Sequence, residues 1–191
     1  MSFKIGRINF KVSFLFLLMF FAVSFFDRSG LFLLCLLSVF FHECGHLTAM
    51  LITKKQITGI NAELFGLEII TRKQETGLKK ELTVLLGGIV FNLAAFCLFY
   101  KLSYLLALVN LFYALVSALP IGNLDGGAAL EKILLFYINP QSSYKISNAV
   151  SVVFLTLVLT AIVFLCLNTF NPTVIILGGY LLINCIKSLR L

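Results

Sequence analysis

The chain has 191 residues, of which 60% are hydrophobic and only 12% are charged. Soluble domains contain about 45–50% apolar and about 25% charged residues, so this composition excludes an ordinary soluble domain. The net charge of +7 lies in short clusters between apolar runs, which is typical of membrane proteins and argues against nucleic-acid binding. The length leaves no room for a second globular domain, so we interpret residues 1–191 as one domain.

Apolar runs approaching 20 residues predict an all-α polytopic membrane protein with six transmembrane helices. The predicted spans are residues 10–26, 31–51, 82–100, 103–120, 147–167 and 172–186. The first run also has features of a secretory signal. However, the turn-like sequence from Asp27 to Gly30 leads directly into another apolar run, which favours an uncleaved first helix.

A polar stretch, residues 53–80, separates the second and third spans. Its middle part, residues 57–71, alternates imperfectly and predicts a small β-hairpin with Phe65 and Gly66 near the turn. Residues 123–127 form a turn-prone cluster after the fourth span.

The basic residues indicate how the spans are oriented. With a cytosolic N-terminus, thirteen of the fifteen Lys and Arg residues lie inside, and only Arg28 and Lys101 lie outside. Both termini are then cytosolic. The second and fourth spans run in the same direction, so their C-terminal ends meet at the cytosolic side.

His42, Glu43 and His46 form an H-E-x-x-H sequence in the second span, and the chain has no other histidine. Residues four apart share one helix face, so both imidazoles can bind one zinc ion while Glu43 reaches a metal-bound water as general base. Zinc lowers the pKa of such a water to about 7. The alternative is a polar cluster that packs helices together. The high cost of ionisable groups inside a membrane argues against it.

A catalytic zinc ion needs a third protein ligand and one open position. No histidine remains, and few acidic residues lie at a suitable depth. Asp125 directly follows the fourth span, and the predicted topology brings it to the same side as His46. An aspartate in a D-G turn is the alternative explanation, which the local sequence supports equally well. The need for a third ligand favours Asp125 as that ligand.

These residues resemble the site-2 protease family of intramembrane metalloproteases, which pairs an H-E-x-x-H helix with a later L-D-G segment. The resemblance covers residues 30–127 and includes Asp125 as the third ligand. Pro120 also fits the family pattern N-x-x-P-x-x-x-L-D-G, although Ser117 stands where that pattern has Asn. The segment from Gly88 to Asn92 is similar to a glycine–asparagine motif of the family.

The resemblance implies hydrolysis of a peptide bond in or near a transmembrane segment of a membrane-protein substrate, with one Zn2+ per chain. Asn92 then either stabilises the tetrahedral intermediate or hydrogen-bonds a neighbouring helix. Ser117 can donate and accept a hydrogen bond but lacks the reach of an amide, so its part in holding the substrate backbone stays open. Gly87 and Gly88 are expected to allow close helix packing.

The short six-span form, without a PDZ insertion or a C-terminal regulatory domain, is similar to the bacterial branch that includes the sporulation sigma-factor processing protease. This implies a bacterial cell membrane, contact with the lipid bilayer and a regulatory membrane protein as a partner. One alternative is a metal transporter, but spans five and six offer few polar residues for a transport path. The other is an inactive protease-like scaffold, in which the four motif residues would not all be expected.

Overall fold

The computed structural model describes part of the chain. The described residues are 2–5, 8–14, 18, 21, 24, 25, 27, 30–63, 66–71, 77–168, 179, 181–183, 185 and 186. Of the predicted first and sixth spans, residues 10–26 and 172–186, only parts lie within this set. The chain divides into two compact units, Met1–Ala114 and Leu115–Leu191.

Four short strands form one sheet in the first unit, in the spatial order β1-β2-β3-β4. The strands are β1 (Ser2–Ile5), β2 (Ile8–Val12), β3 (Ile57–Glu63) and β4 (Gly66–Thr71). β1 and β2 are antiparallel, β2 and β3 are parallel, and β3 and β4 are antiparallel. The antiparallel pair β3–β4 lies in the stretch for which the sequence predicts a hairpin.

The N-terminal strands are not anticipated by the prediction that a first transmembrane helix begins at residue 10. That boundary is wrong, because residues 10–12 belong to β2 and pair with residues 60–62 of β3. The sequence Ile-Asn-Phe-Lys-Val of β2 alternates apolar and polar residues, which suits a strand better than a helix buried in lipid.

Two long apolar helices follow in the first unit, α1 (Leu31–Ile52) and α2 (Leu78–Phe99), with 22 residues each. At 1.5 Å per residue each is about 33 Å long, enough to cross a hydrocarbon core of about 30 Å. Their backbones touch where they cross. A Cβ added to Gly45 would collide with the carbonyl oxygen of Gly87, and one added to Gly87 would lie 2.7 Å from that of Gly45. The predicted role of Gly87 in close packing is confirmed.

The next helix, α3 (Tyr104–Ser117), has 14 residues and is shorter than the predicted span 103–120. It ends before Pro120, because a proline lacks a backbone N–H and disfavours the helical conformation of the residue before it. The chain then turns through Gly122, whose φ of 51° lies in the left-handed region that glycine adopts most easily.

The second unit contains α4 (Asp125–Tyr137) and α5 (Pro140–Asn168). α4 is not predicted from the sequence, which places a turn over residues 123–127. The turn ends at Leu124, and Asp125 begins the helix. α5 includes the predicted span 147–167 but begins earlier, at Pro140, since proline is tolerated in the first turn of a helix. The apolar core of this unit is formed by Ile121, Leu124, Leu181 and Cys185.

Among the described residues, three helices are long and apolar enough to cross a membrane, namely Leu31–Ile52, Leu78–Phe99 and Pro140–Phe164. α3 is a further, shorter apolar helix. These helices support an integral membrane protein. The number of six spans and the cytosolic position of both termini stay predictions.

Candidate metal centre

The H-E-x-x-H sequence lies near the middle of α1. His42 is the twelfth of the 22 residues of this helix, about 17 Å from its start. Its side chain is only 4% exposed, and those of Glu43 and His46 are half-buried. Ionisable side chains at this depth are costly in a membrane, so their presence in an apolar helix points to a function.

The two histidines face each other across one turn of α1. Their Nε2 atoms are 3.1 Å apart, and the ring centroids are separated by 4.7 Å. Two nitrogens that bind one tetrahedral zinc ion at about 2.0–2.1 Å lie about 3.3 Å from each other. The pair therefore has nearly the spacing that a shared metal ion requires.

A backbone group on α2 orients one of these rings. Nδ1 of His46 lies 2.8 Å from the carbonyl oxygen of Val84, and Val84 is buried. A ring nitrogen bonds a carbonyl oxygen only as a donor, so Nδ1 carries the proton and Nε2 of a neutral ring keeps its lone pair. In a metal-binding histidine, the ring nitrogen that does not bind the metal commonly donates a hydrogen bond of this kind. The bond fixes the orientation of the ring and raises the basicity of the ligating nitrogen.

Gly88 of α2 keeps the space beside both Nε2 atoms open. A Cβ at this position would lie 2.7 Å from Nε2 of His42 and 2.7 Å from Nε2 of His46. Any side chain would therefore occupy the region beside both Nε2 atoms. The two imidazoles, the fixed ring of His46 and this open space fit a bound divalent metal ion.

Tyr113 of α3 packs edge-on against His42, with ring centroids 4.9 Å apart and an angle of 70° between the planes. The sequence does not predict this neighbour, because a tyrosine in an apolar span is ordinary and carries no motif. The contact of His46 with Val84 was also missed, and it has no sequence signal, since every residue type has the same carbonyl group.

Asn92 lies on α2 and is fully buried. Its Nδ2 donates a hydrogen bond of 3.3 Å to Oγ of Ser38 on α1, which is also fully buried. Its Oδ1 has no hydrogen-bond partner among the described residues. The bond joins two neighbouring helices, which is one of the two roles that the sequence allows for Asn92. The other role, at the reaction centre, stays a prediction.

The second unit contains the two remaining predicted site residues, Asp125 and Ser117. Asp125 occupies the first turn of α4, where a carboxylate also interacts favourably with the helix dipole. Ser117 is the last residue of α3 and is 8% exposed. A Cβ on Gly126 would collide with the carbonyl oxygen of Ala118, so this position requires glycine.

The fold and the histidine pair define a helical integral membrane protein with a candidate metal centre in its first long helix. The sequence matches no protein-family model and no curated protein. The structure is similar to the solved structure of a site-2 protease from Methanocaldococcus jannaschii, with a TM-score of 0.70 and 22% sequence identity. The match covers 100% of this chain and 95% of that chain. The chain therefore shares the fold of that protease, while the likeness does not bear on the sporulation branch.

Proposed function

We propose that this protein is an intramembrane zinc metalloprotease that cleaves peptide bonds in or near transmembrane segments of other membrane proteins. The observation that carries this proposal is the pair of Nε2 atoms of His42 and His46, 3.1 Å apart inside an apolar helix, with Glu43 next to His42. The fold shared with a site-2 protease supports it.

One Zn2+ ion per chain is proposed to be held by His42, His46 and Asp125, which leaves one position open for water or substrate. Two imidazoles and one carboxylate are a donor set that suits zinc. The hydrogen bond of His46 to Val84 and the space beside Gly88 support this assignment for the histidine half of the site. A zinc ion there would lower the pKa of a water to about 7 and so supply a nucleophile at neutral pH.

Glu43 is proposed as the general base. It follows His42 directly and lies about 100° around the helix from it, which keeps its carboxylate near the metal but off the ligand face. It would take a proton from the attacking water and deliver it to the leaving amine. Asn92 and Ser117 are proposed to contact the tetrahedral intermediate or the substrate backbone. A substrate helix must unwind locally first, because its carbonyl groups are engaged in helical hydrogen bonds.

The proposed setting is a bacterial cell membrane, with both termini in the cytosol, the protein surrounded by lipid and the cut toward the cytosolic face. The distribution of Lys and Arg supports this orientation. A membrane protein of the same cell is the proposed substrate, and a second membrane protein is proposed to regulate access. The affiliation with the sporulation branch belongs to this proposal.

The deciding experiment compares the wild type with Glu43→Gln by membrane proteomics and by cleavage of an accumulated substrate on co-expression. We expect Glu43→Gln to retain its metal and to lose about 10²–10⁴-fold in cleavage rate, since glutamine cannot accept the proton. Glu81→Gln, in the first turn of α2, removes a carboxylate outside the motif and should cleave normally. Undiminished cleavage by Glu43→Gln would refute the assignment of Glu43 as the general base. A transporter would instead carry metal into liposomes and cleave nothing.

A further inference from the structure

The segment that leads to Asp125 is non-helical and lies between the apolar helix α3 and the helix α4. α3 ends at Ser117, and α4 begins at Asp125. A helix of 14 residues is about 21 Å long, so one that starts at one face of a membrane ends before it reaches the other. Non-helical backbone at such a depth must find hydrogen-bond partners inside the protein, because lipid offers none.

Ser151 of α5 provides two of these bonds with one hydroxyl group. Its Oγ accepts a hydrogen bond of 3.1 Å from the N–H of Gly122 and donates one of 3.1 Å to the carbonyl oxygen of Pro120. Ser151 is only 2% exposed, and Ile121, between the two bonded residues, is fully buried. The hydroxyl thus bonds both ends of a turn whose middle residue is fully buried.

This turn is packed directly against the beginning of α4. The carbonyl oxygen of Gly122 lies where a Cβ of Gly127 would be, and the carbonyl oxygen of Ala118 lies where one of Gly126 would be. These two glycines immediately follow Asp125. A shift of the turn would therefore move the first turn of α4, and Asp125 with it.

We propose that Ser151 is a positioning residue that sets the placement of the Asp125 carboxylate by holding the turn of residues 120–122. The inference rests on the proposed metal site, since it concerns the residue assigned as the third ligand. Ser143, Ser147 and Ser151 recur at one-turn intervals and are all buried. Among the described residues, only Ser151 of these three is hydrogen-bonded to the turn.

The test uses the full-length protein in detergent with Co2+ as a spectroscopic probe of the metal site. Ser151→Ala removes the hydroxyl group, and Ser147→Ala is the matched control on the same buried face. A second pair, Ser151→Thr and Ser151→Val, compares two side chains of nearly equal shape that differ in the hydroxyl group. The measurements are the Co2+ dissociation constant, the visible absorption of the bound Co2+ and the backbone hydrogen exchange of Gly122 in the metal-free protein.

We expect Ser151→Ala and Ser151→Val to bind Co2+ about 10–100-fold more weakly, as is usual when a residue that orients a metal ligand is lost. The visible absorption of Co2+ bound to these two variants should change, and the backbone N–H of Gly122 should exchange its hydrogen with solvent faster. Ser147→Ala and Ser151→Thr should behave like the wild type. Equal Co2+ affinity in all variants would overturn the inference, as would a loss of fold in both hydroxyl-free variants, which would assign Ser151 to general stability. If the wild type binds no Co2+ that depends on His42, the proposed function itself fails.

Discussion

The carbonyl oxygen of Val84 on α2 lies 2.8 Å from Nδ1 of His46 on α1. This contact joins two residues 38 positions apart and decides which nitrogen of the imidazole is available to a metal ion. The close approach of the two helices at Gly45 and Gly87 brings the carbonyl group within reach of the ring. The geometry of the candidate metal centre on α1 therefore depends on the backbone of α2 as well as on the motif of α1 itself.

Gly88→Ala should abolish or strongly weaken metal binding, because its Cβ would lie 2.7 Å from both Nε2 atoms of the histidine pair. Metal content after purification and the dissociation constant for Zn2+ measure this effect. Gly77→Ala is the control, since a Cβ at this residue, just before the start of the same helix, meets nothing within 4 Å. Normal Zn2+ affinity in a folded Gly88→Ala protein would show that the metal does not bind beside these nitrogens.

Asp125→Asn should weaken Zn2+ binding and cleavage together, because a neutral amide is a poorer zinc ligand than a carboxylate. Both can be measured on one preparation, by metal analysis and by substrate cleavage. Glu131→Gln makes the corresponding change on the same helix, and we expect it to be neutral. Full zinc occupancy in Asp125→Asn would remove Asp125 from the site and would require another third ligand.

The hydrogen bond from Asn92 to Ser38 can be separated from a catalytic role of Asn92 by a double-mutant cycle. We expect Asn92→Ala and Ser38→Ala to lower the free energy of unfolding non-additively, with a coupling of about 0.6 kcal/mol, which is typical between membrane helices. A role in stabilising the intermediate would in addition reduce kcat of Asn92→Ala about 10²–10³-fold below that of Ser38→Ala. Fully additive effects of the two substitutions on the free energy of unfolding would show that the hydrogen bond between Asn92 and Ser38 does not stabilise the protein.

Ser117→Asn restores the residue that the site-2 protease pattern has at this position. Ser117 is 8% exposed, so the larger amide must fit into packed surroundings, and we expect a destabilisation of about 1–3 kcal/mol. The melting temperature and kcat/KM should be measured together. Ser103→Asn, just before the start of the same helix, should be nearly neutral, because serine and asparagine cap helices about equally well. A more active Ser117→Asn protein with unchanged stability would contradict this expectation.

Two features of the protein depend on interactions between residues close in the chain, and the sequence predicts both of them. Hydropathy over a window of about 20 residues locates α1 and α2, because helical hydrogen bonds are local and lipid excludes other structures. The spacing of His42 and His46 places both on one face of α1, because a helix turns once in 3.6 residues. The turn-forming residues 123–127 also predict a turn, but they do not predict that α4 begins at Asp125.

The other features join residues that are distant in the chain, and only the tertiary structure decides them. Backbone N–H or carbonyl groups take part in all three of these contacts: the parallel pairing of β2 with β3, the contact of His46 with Val84, and the hydrogen bonds of Ser151 to the turn. Such groups are the same in almost every residue type, so the sequence carries no sign of which ones will meet. The motif thus determined that two histidines share one face of α1, while the packing of α2 determined which nitrogen of His46 contacts the carbonyl group of Val84 and which faces His42.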